Sequence, residues 1–160
     1  MAVSALVAFQ AQITETLASG VDGSASPSIL HAAFDDSYSL SSSSTPPITK
    51  CVVKSVALSG GAATIHLGTI TGTNGLAQDM SGLKVQIFRV KNTGTNAMTF
   101  TVGASEGYNL MGASMNFVLL SGQQLMFYGN DATPDVAAAD RQIDVAGTGT
   151  ETFELTILAG

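Results

Sequence analysis

Two histidines, His31 and His66, are the only imidazoles among the 160 residues. A general base needs a carboxylate or a nucleophile held beside it, and neither ring has one close in sequence. His66 lies between Ile65 and Leu67, so if those two point into a core the ring points outward, as a solvated or interface histidine. The acidic candidates are Asn130, Asp131, Asp135, Asp140 and Asp144, the one region with several of the oxygen ligands that calcium takes. Their spacing departs from the EF-hand pattern. Pro134 and the intervening alanines suggest a turn-rich loop whose aspartates cap backbone amides. Asp35 and Asp36 are adjacent, and on a strand they would point to opposite faces, which rules out shared acid–base work. Gly103 to Gly107 and Leu120 to Gly122 have the look of a phosphate loop or a nucleophile elbow. They lack both Gly-Lys-Ser/Thr and Gly-x-Ser-x-Gly ahead of a helix, so both read as turns. Cys51 is the only cysteine, which allows no intrachain disulfide and no zinc or redox motif. It reads as a small buried apolar residue. No catalytic, cofactor-binding or metal residue is assigned, no cofactor is expected, and the chain reads as a non-enzyme.

The elements that would have to position any chemistry are strands. Leu83, Val85 and Ile87 alternate with Lys84 and Gln86, the period of two that puts one strand face on a core. Asn92 to Asn96 is turn-rich, and Met98 to Val102 reads as the returning strand of a hairpin. Asn116 to Leu120 turns at Ser121-Gly122 and comes back as Leu125 to Tyr128. Val52, Val56 and Leu58 lead through Ser59-Gly60-Gly61 to Ala63, Ile65 and Leu67, a second expected hairpin. Gln142 to Val145 and Thr152 to Leu158 flank Gly147-Thr148-Gly149 as a third. Thr71 to Ser81 is a polar connection long enough to cross between sheets, and Gly129 to Asp140 is a polar loop. Ser41 to Pro47 is irregular, because consecutive prolines cannot donate to a ladder. Near the N-terminus, Leu6, Phe9, Ile13 and Leu17 have helical spacing while Ile13 to Leu17 alternates. The reading adopted is an extended arm or edge strand after a short helical turn, with a loop over Gly20 to Ser28. Ile29 to Leu40 can hold a paired strand.

These elements give an all-β fold: an antiparallel two-sheet β-sandwich, jelly-roll-like, of about eight strands. The expected organisation is an N-terminal arm and loop over residues 1–28 and a single β-sandwich domain over 29–160. An open barrel is the alternative. Composition agrees, since 17 Ser, 17 Thr and 17 Gly supply a neutral, turn-rich, β-tolerant chain. Charged residues make up only 11%, against roughly 25% in an ordinary soluble domain. A weakly charged surface suits a protein packed against neighbours. The formal charge is −6 with six basic residues, Lys50, Lys54, Lys84, Arg89, Lys91 and Arg141. Direct nucleic-acid binding is therefore not expected, because it requires a clustered basic face. No apolar stretch reaches the roughly 18 residues of a membrane span. Met1 to Gln12 carries no Lys or Arg ahead of its apolar run, so a secretory signal is not expected either.

The stretch from about Thr64 to Gly160 resembles a group of small all-β bacteriophage virion proteins. The resemblance lies in the order of short motifs: Thr64 to Leu67, Gly82 to Asn92, Thr99 to Gly103, Leu120 to Met126, the loop at Asn130-Asp131, and the ending Leu155 to Gly160. It implies a non-enzymatic phage structural protein, a capsid decoration or minor head protein, with a tail or fibre component as the alternative. The implied partners are the major capsid protein or another virion protein and further copies of the chain itself, as a homo-oligomeric trimer. The implied location is the virion, assembled in the host cytoplasm. The arm, with Leu6 and Phe9 as apolar anchors, is the first candidate for contact. Met111, Met115, Phe117 and Met126 could add a contact surface, although core packing is the simpler use. A surface carbohydrate-binding module is a reading of a different class. Such sites stack sugars on exposed aromatics, and this chain has no Trp and only Tyr38, Tyr108 and Tyr128.

Overall fold

The computed structural model describes residues 2–16 and 28–160. Along them run β1 (Ser4–Thr16), β2 (Ser28–Ser41), β3 (Lys50–Ala57), β4 (Ala62–His66), β5 (Ile70–Thr71), β6 (Ala77–Gln78), β7 (Val85–Asn92), β8 (Met98–Val102), β9 (Asn116–Leu119), β10 (Gln124–Tyr128), β11 (Gln142–Ala146) and β12 (Thr152–Ala159). No helix occurs among the described residues. A front sheet in the order β10-β7-β12-β3 faces a back sheet in the order β4-β11-β8-β9, and β5-β6 and β1-β2 form separate pairs. Every pairing within these sheets is antiparallel.

The alternation seen in the sequence decides what lies between the two large sheets. From the front sheet, Val52, Phe88, Val90, Phe153, Leu155 and Ile157 turn inward; Ile65, Met98, Phe100, Ile143 and Val145 meet them from the back. Phe100 links the layers, stacking on Phe117 at 5.0 Å and meeting Phe153 edge-on at 5.4 Å. Truncating one such buried ring costs roughly 3–5 kcal/mol.

The hairpins expected within the body are not formed. β7 and β8, β3 and β4, β9 and β10, and β11 and β12 each fall on opposite sheets. Their links, residues 93–97, 58–61, 120–123 and 147–151, are corners that carry the chain across the core. Alternation reports which side chains face the core, and strands on either side of a corner share that core as fully as hairpin partners do. β7 has both edges occupied, by β10 and β12, so β8 has no place beside it.

Buried polar groups fasten the corners. Asn92, fully buried, donates to Asn96 O at 2.8 Å and Leu119 O at 2.9 Å and accepts from Gly94 N at 2.8 Å. Glu151 Oε1 accepts from Thr95 N, Thr95 Oγ1, Asn96 N and Asn96 Nδ2, all within 3.0 Å. The Thr95 contacts lead in holding this carboxyl below its ordinary range. A Cβ at Gly94 would lie 2.9 Å from Glu151 Cβ, so the corner needs glycine there. Two buried groups stand apart: the Gln86 amide and the second carboxylate oxygen of Glu151, Oε2, find no hydrogen-bond partner among the described residues. Gln86 has a place in the ladder that accounts for its position. It is the extra residue where the β7–β12 register shifts. At the β3 edge, Val53 N donates to Thr73 Oγ1 at 3.1 Å, and that hydroxyl lies 3.2 Å from Val53 O.

The N-terminal segment is the one true hairpin of long strands. β1 pairs with β2 from Ser4↔Ser41 to Thr16↔Ser28, with a register shift after Ala11. The helical turn expected near the N-terminus is absent from residues 2–16. β2 pairs with β1 and with neither large sheet, so residues 28–41 continue the arm. The loop expected over Gly20 to Ser28 lies outside the described residues apart from Ser28 itself.

Candidate interaction surface

On the outer side of the front sheet, register sets the side chains in rows. Tyr128, Ile87, Leu158 and Cys51 form one row across four strands; Met126, Arg89, Thr156 and Val53 form the next; Gln124, Lys91, Glu154 and Ser55 form the third. A sheet face turned to water is ordinarily polar, and the first row is not. The arm covers it. Val7 and Leu40 are buried against Ile48, Ile87 and Leu158, with Val3, Ala5, Phe9, Cys51 and Tyr128 packed around them. Tyr128 is held from two sides, stacked on Tyr38 at 5.0 Å and met edge-on by Phe9 at 5.8 Å. Burial raises the pKa of both the Tyr128 phenol and the Cys51 thiol.

The arm's apolar face extends past this contact. Cross-strand pairs Ala5↔Leu40, Val7↔Tyr38, Phe9↔Asp36, Ala11↔Phe34, Ile13↔His31 and Glu15↔Ile29 share one side of the hairpin. Phe34 is 51% exposed and Ile13 54%, in contrast to the buried Val7 and Leu40. His31 Nε2 lies 3.2 Å from Glu15 Oε2 on the same side. Beside the covered row, Leu6 of β1 overlooks a groove of about 420 Å³ floored by Val53, Arg89, Met126 and Thr156. Val53 is 49% exposed and Met126 39%. Arg89 is bound sideways, to Gln124 Oε1 at 2.8 Å and Glu154 Oε2 at 3.4 Å.

The back sheet contrasts with this. Its outer side presents Thr64, Asp144, Thr101 and Asn116 in one row and His66 beside Gln142 in another. Thr64 Oγ1 donates to Asp144 at 2.8 Å, and Ala104 N caps the other carboxylate oxygen at 2.8 Å. At its end stands a charged cluster that sequence reasoning missed. Glu106, with φ at 53°, accepts both Arg141 Nε at 2.7 Å and Arg141 Nη2 at 2.9 Å, and Gln142 Nε2 at 3.1 Å. Arg141 holds the Glu106 carboxyl below its ordinary range. His66 Nε2 lies 3.9 Å from Glu106, and its Nδ1 is 3.1 Å from Thr69 Oγ1. The order Thr69, His66, Glu106 has the outline of a nucleophile, base and orienter, but the carboxylate is engaged by a bidentate guanidinium and stands beyond hydrogen-bond reach of the ring. The Thr69 hydroxyl closes a turn whose backbone bond runs from Thr69 N to His66 O. The cluster works as a clamp between two loops. No local sequence signal marks it, since its members come from the end of β4, the link after β8 and the start of β11.

The residues of the acidic region point to separate tasks. Asp135 pairs with Lys84 at 2.9 Å, Asn130 Oδ1 accepts from Ala132 N, and Asp144 belongs to the back-sheet row. Among the described residues no group of three His, Cys, Asp or Glu side chains converges as a metal site would require. Met115 is buried and Phe117 packs on the core, whereas Met111 and Met126 are exposed. Tyr108 is fully buried; its hydroxyl donates to Pro134 O at 2.7 Å and accepts from Val85 N at 3.4 Å. Burial pushes its pKa up to about 12. Comparisons with protein-family models, with curated proteins and with solved structures find no match.

Proposed function

We propose that the chain is a non-enzymatic bacteriophage virion structural protein, a capsid decoration or minor head protein that binds the capsid lattice and its own copies as a trimer. The observation that carries this reading is the arm: a two-stranded extension that fastens one half of its apolar face to its own body and leaves the other half bare. Bare apolar area on a weakly charged protein is the mark of a subunit that completes its burial in an assembly. The motif order from Thr64 to Gly160 supports the phage setting. The strand order β10-β7-β12-β3 over β4-β11-β8-β9 supports reading the sandwich as a jelly roll, an architecture used by viral capsid and lectin domains.

Mixing the purified chain with heads and with tails of the phage that encodes it, then sedimenting the mixtures, tests the proposal. Co-sedimentation with heads is expected. Binding to tails alone would make the chain a tail or fibre component, and binding to neither would end the virion reading. The carbohydrate-binding alternative draws little support from the aromatics. Tyr108 is buried, and Tyr38 and Tyr128 are stacked on each other, so each of those two has one ring face already taken. A glycan array without hits would dispose of it.

A further inference from the structure

We propose that the bare half of the arm lies in the front-sheet groove of a second copy of this chain, head to tail. Three observations meet here. The groove is continuous with a contact the arm already makes. Its floor row, Met126, Arg89, Thr156 and Val53, adjoins the row on which Val7 and Leu40 of the same apolar face are buried. The half carrying Phe34 and Ile13 therefore meets on a neighbour the chemistry its inner half meets at home. The charges are complementary. Residues 1–49 contain no Lys or Arg, and Glu15 and Asp36 border the bare face; the groove's charged residue is Arg89, and with Lys91 and Arg89's own partner Glu154 in the next row the site keeps an excess of one positive charge. Finally, β1 pairs on one side only, with β2, and its residues Ser4 to Ala8 line the groove. A strand laid there gains main-chain hydrogen bonds as well as apolar cover.

An arm reaching from one body to a different surface on the next is a heterologous contact, which closes into a ring when the rotation permits. A trimer is the smallest such ring that suits the proposed assembly. The inference rests on the reading of the chain as an assembly subunit, but its test needs only the isolated protein, so it can fail while capsid binding stands, and the reverse.

The experiment is analytical ultracentrifugation of the full chain over a dilution series, with circular dichroism to confirm that each variant is folded. The unaltered chain is expected to self-associate. Phe34→Glu on the arm and Met126→Glu in the groove, each at an exposed position, are each expected to weaken association by at least about thirtyfold. Val53→Glu serves as a second groove variant should Met126→Glu disturb the fold. An equimolar mixture of the arm variant and the groove variant is expected to give a discrete heterodimer, because one sound arm and one sound groove remain to meet. A chain that stays monomeric throughout overturns the proposal. So does association unaffected by either substitution, and so does a mixture that fails to pair, which would point to like surfaces meeting like.

Discussion

The outer faces of the two sheets are built from strands of the same core, yet the front face carries one row, Tyr128, Ile87, Leu158 and Cys51, that the arm buries, while the back face, polar apart from Ala62, Ala146 and Val118, carries no such cover among the described residues. The back sheet turns Thr64, Thr101, Asn116, Gln142 and Asp144 outward, and Thr64, Asp144 and Gln142 find hydrogen-bond partners close by. The front sheet sets Ile87, Leu158, Cys51 and Tyr128 in a row and needs the arm to cover them. The core explains the inward side chains of both sheets; only the front sheet is under a second apolar demand from outside. That demand is met within the chain, by the arm.

The strongest way to break the contrast is at Ile87, 3% exposed beneath the arm. Ile87→Ala is expected to cost about 2–5 kcal/mol in chemical denaturation; a loss no larger than that of a surface substitution would mean the arm does not rest there. Next comes Tyr128→Ala, which removes both the Tyr38 and the Phe9 ring contacts and is expected to cost about 1–3 kcal/mol. Hydrogen exchange should locate the effect, with amides of Ser37 to Ser41 losing protection while those of Phe153 to Ile157 keep theirs. A third test concerns the corner between the faces. The Glu151 carboxyl is held below its ordinary value, so its contribution is complete above the unfolded-state pKa of about 4.3 and is lost as pH falls through the lower folded value. Melting temperature should therefore be flat from neutral pH down to about 5 and decline below about 4. Glu151→Gln should flatten part of that decline, and an unchanged profile would show that the four donors do not act through its charge. The smallest effect is reserved for the back face: Thr64→Val should alter stability by no more than about 0.5 kcal/mol in the same denaturation assay.

Much of the core was legible in the sequence, because the alternation through Val85 to Asn92 and Thr152 to Ala159 names the buried side chains without reference to their partners. Partnership was not legible. Links of four or five residues at 58–61, 93–97, 120–123 and 147–151 have the lengths of hairpin loops, and nothing local distinguishes a turn that folds a strand back from a corner that lifts it to the other sheet. The N-terminal segment misled in the opposite direction. Leu6, Phe9 and Ile13 are spaced like a helix only because the arm places apolar residues on both sides, Phe9 against the body and Ile13 farther along the same side, with Leu6 over the groove. Of the interaction surface, Leu6, Phe9 and Met126 could be singled out beforehand. Arg89, Val53 and the clamp of Glu106 with Arg141 could not, since their meaning lies in register and in contacts between distant links.

Thr73 bears on how copies avoid meeting in the wrong way. Its hydroxyl occupies the backbone N–H of Val53 and sits beside its carbonyl, so part of the sandwich rim is sealed by a side chain where another polypeptide could otherwise zip on.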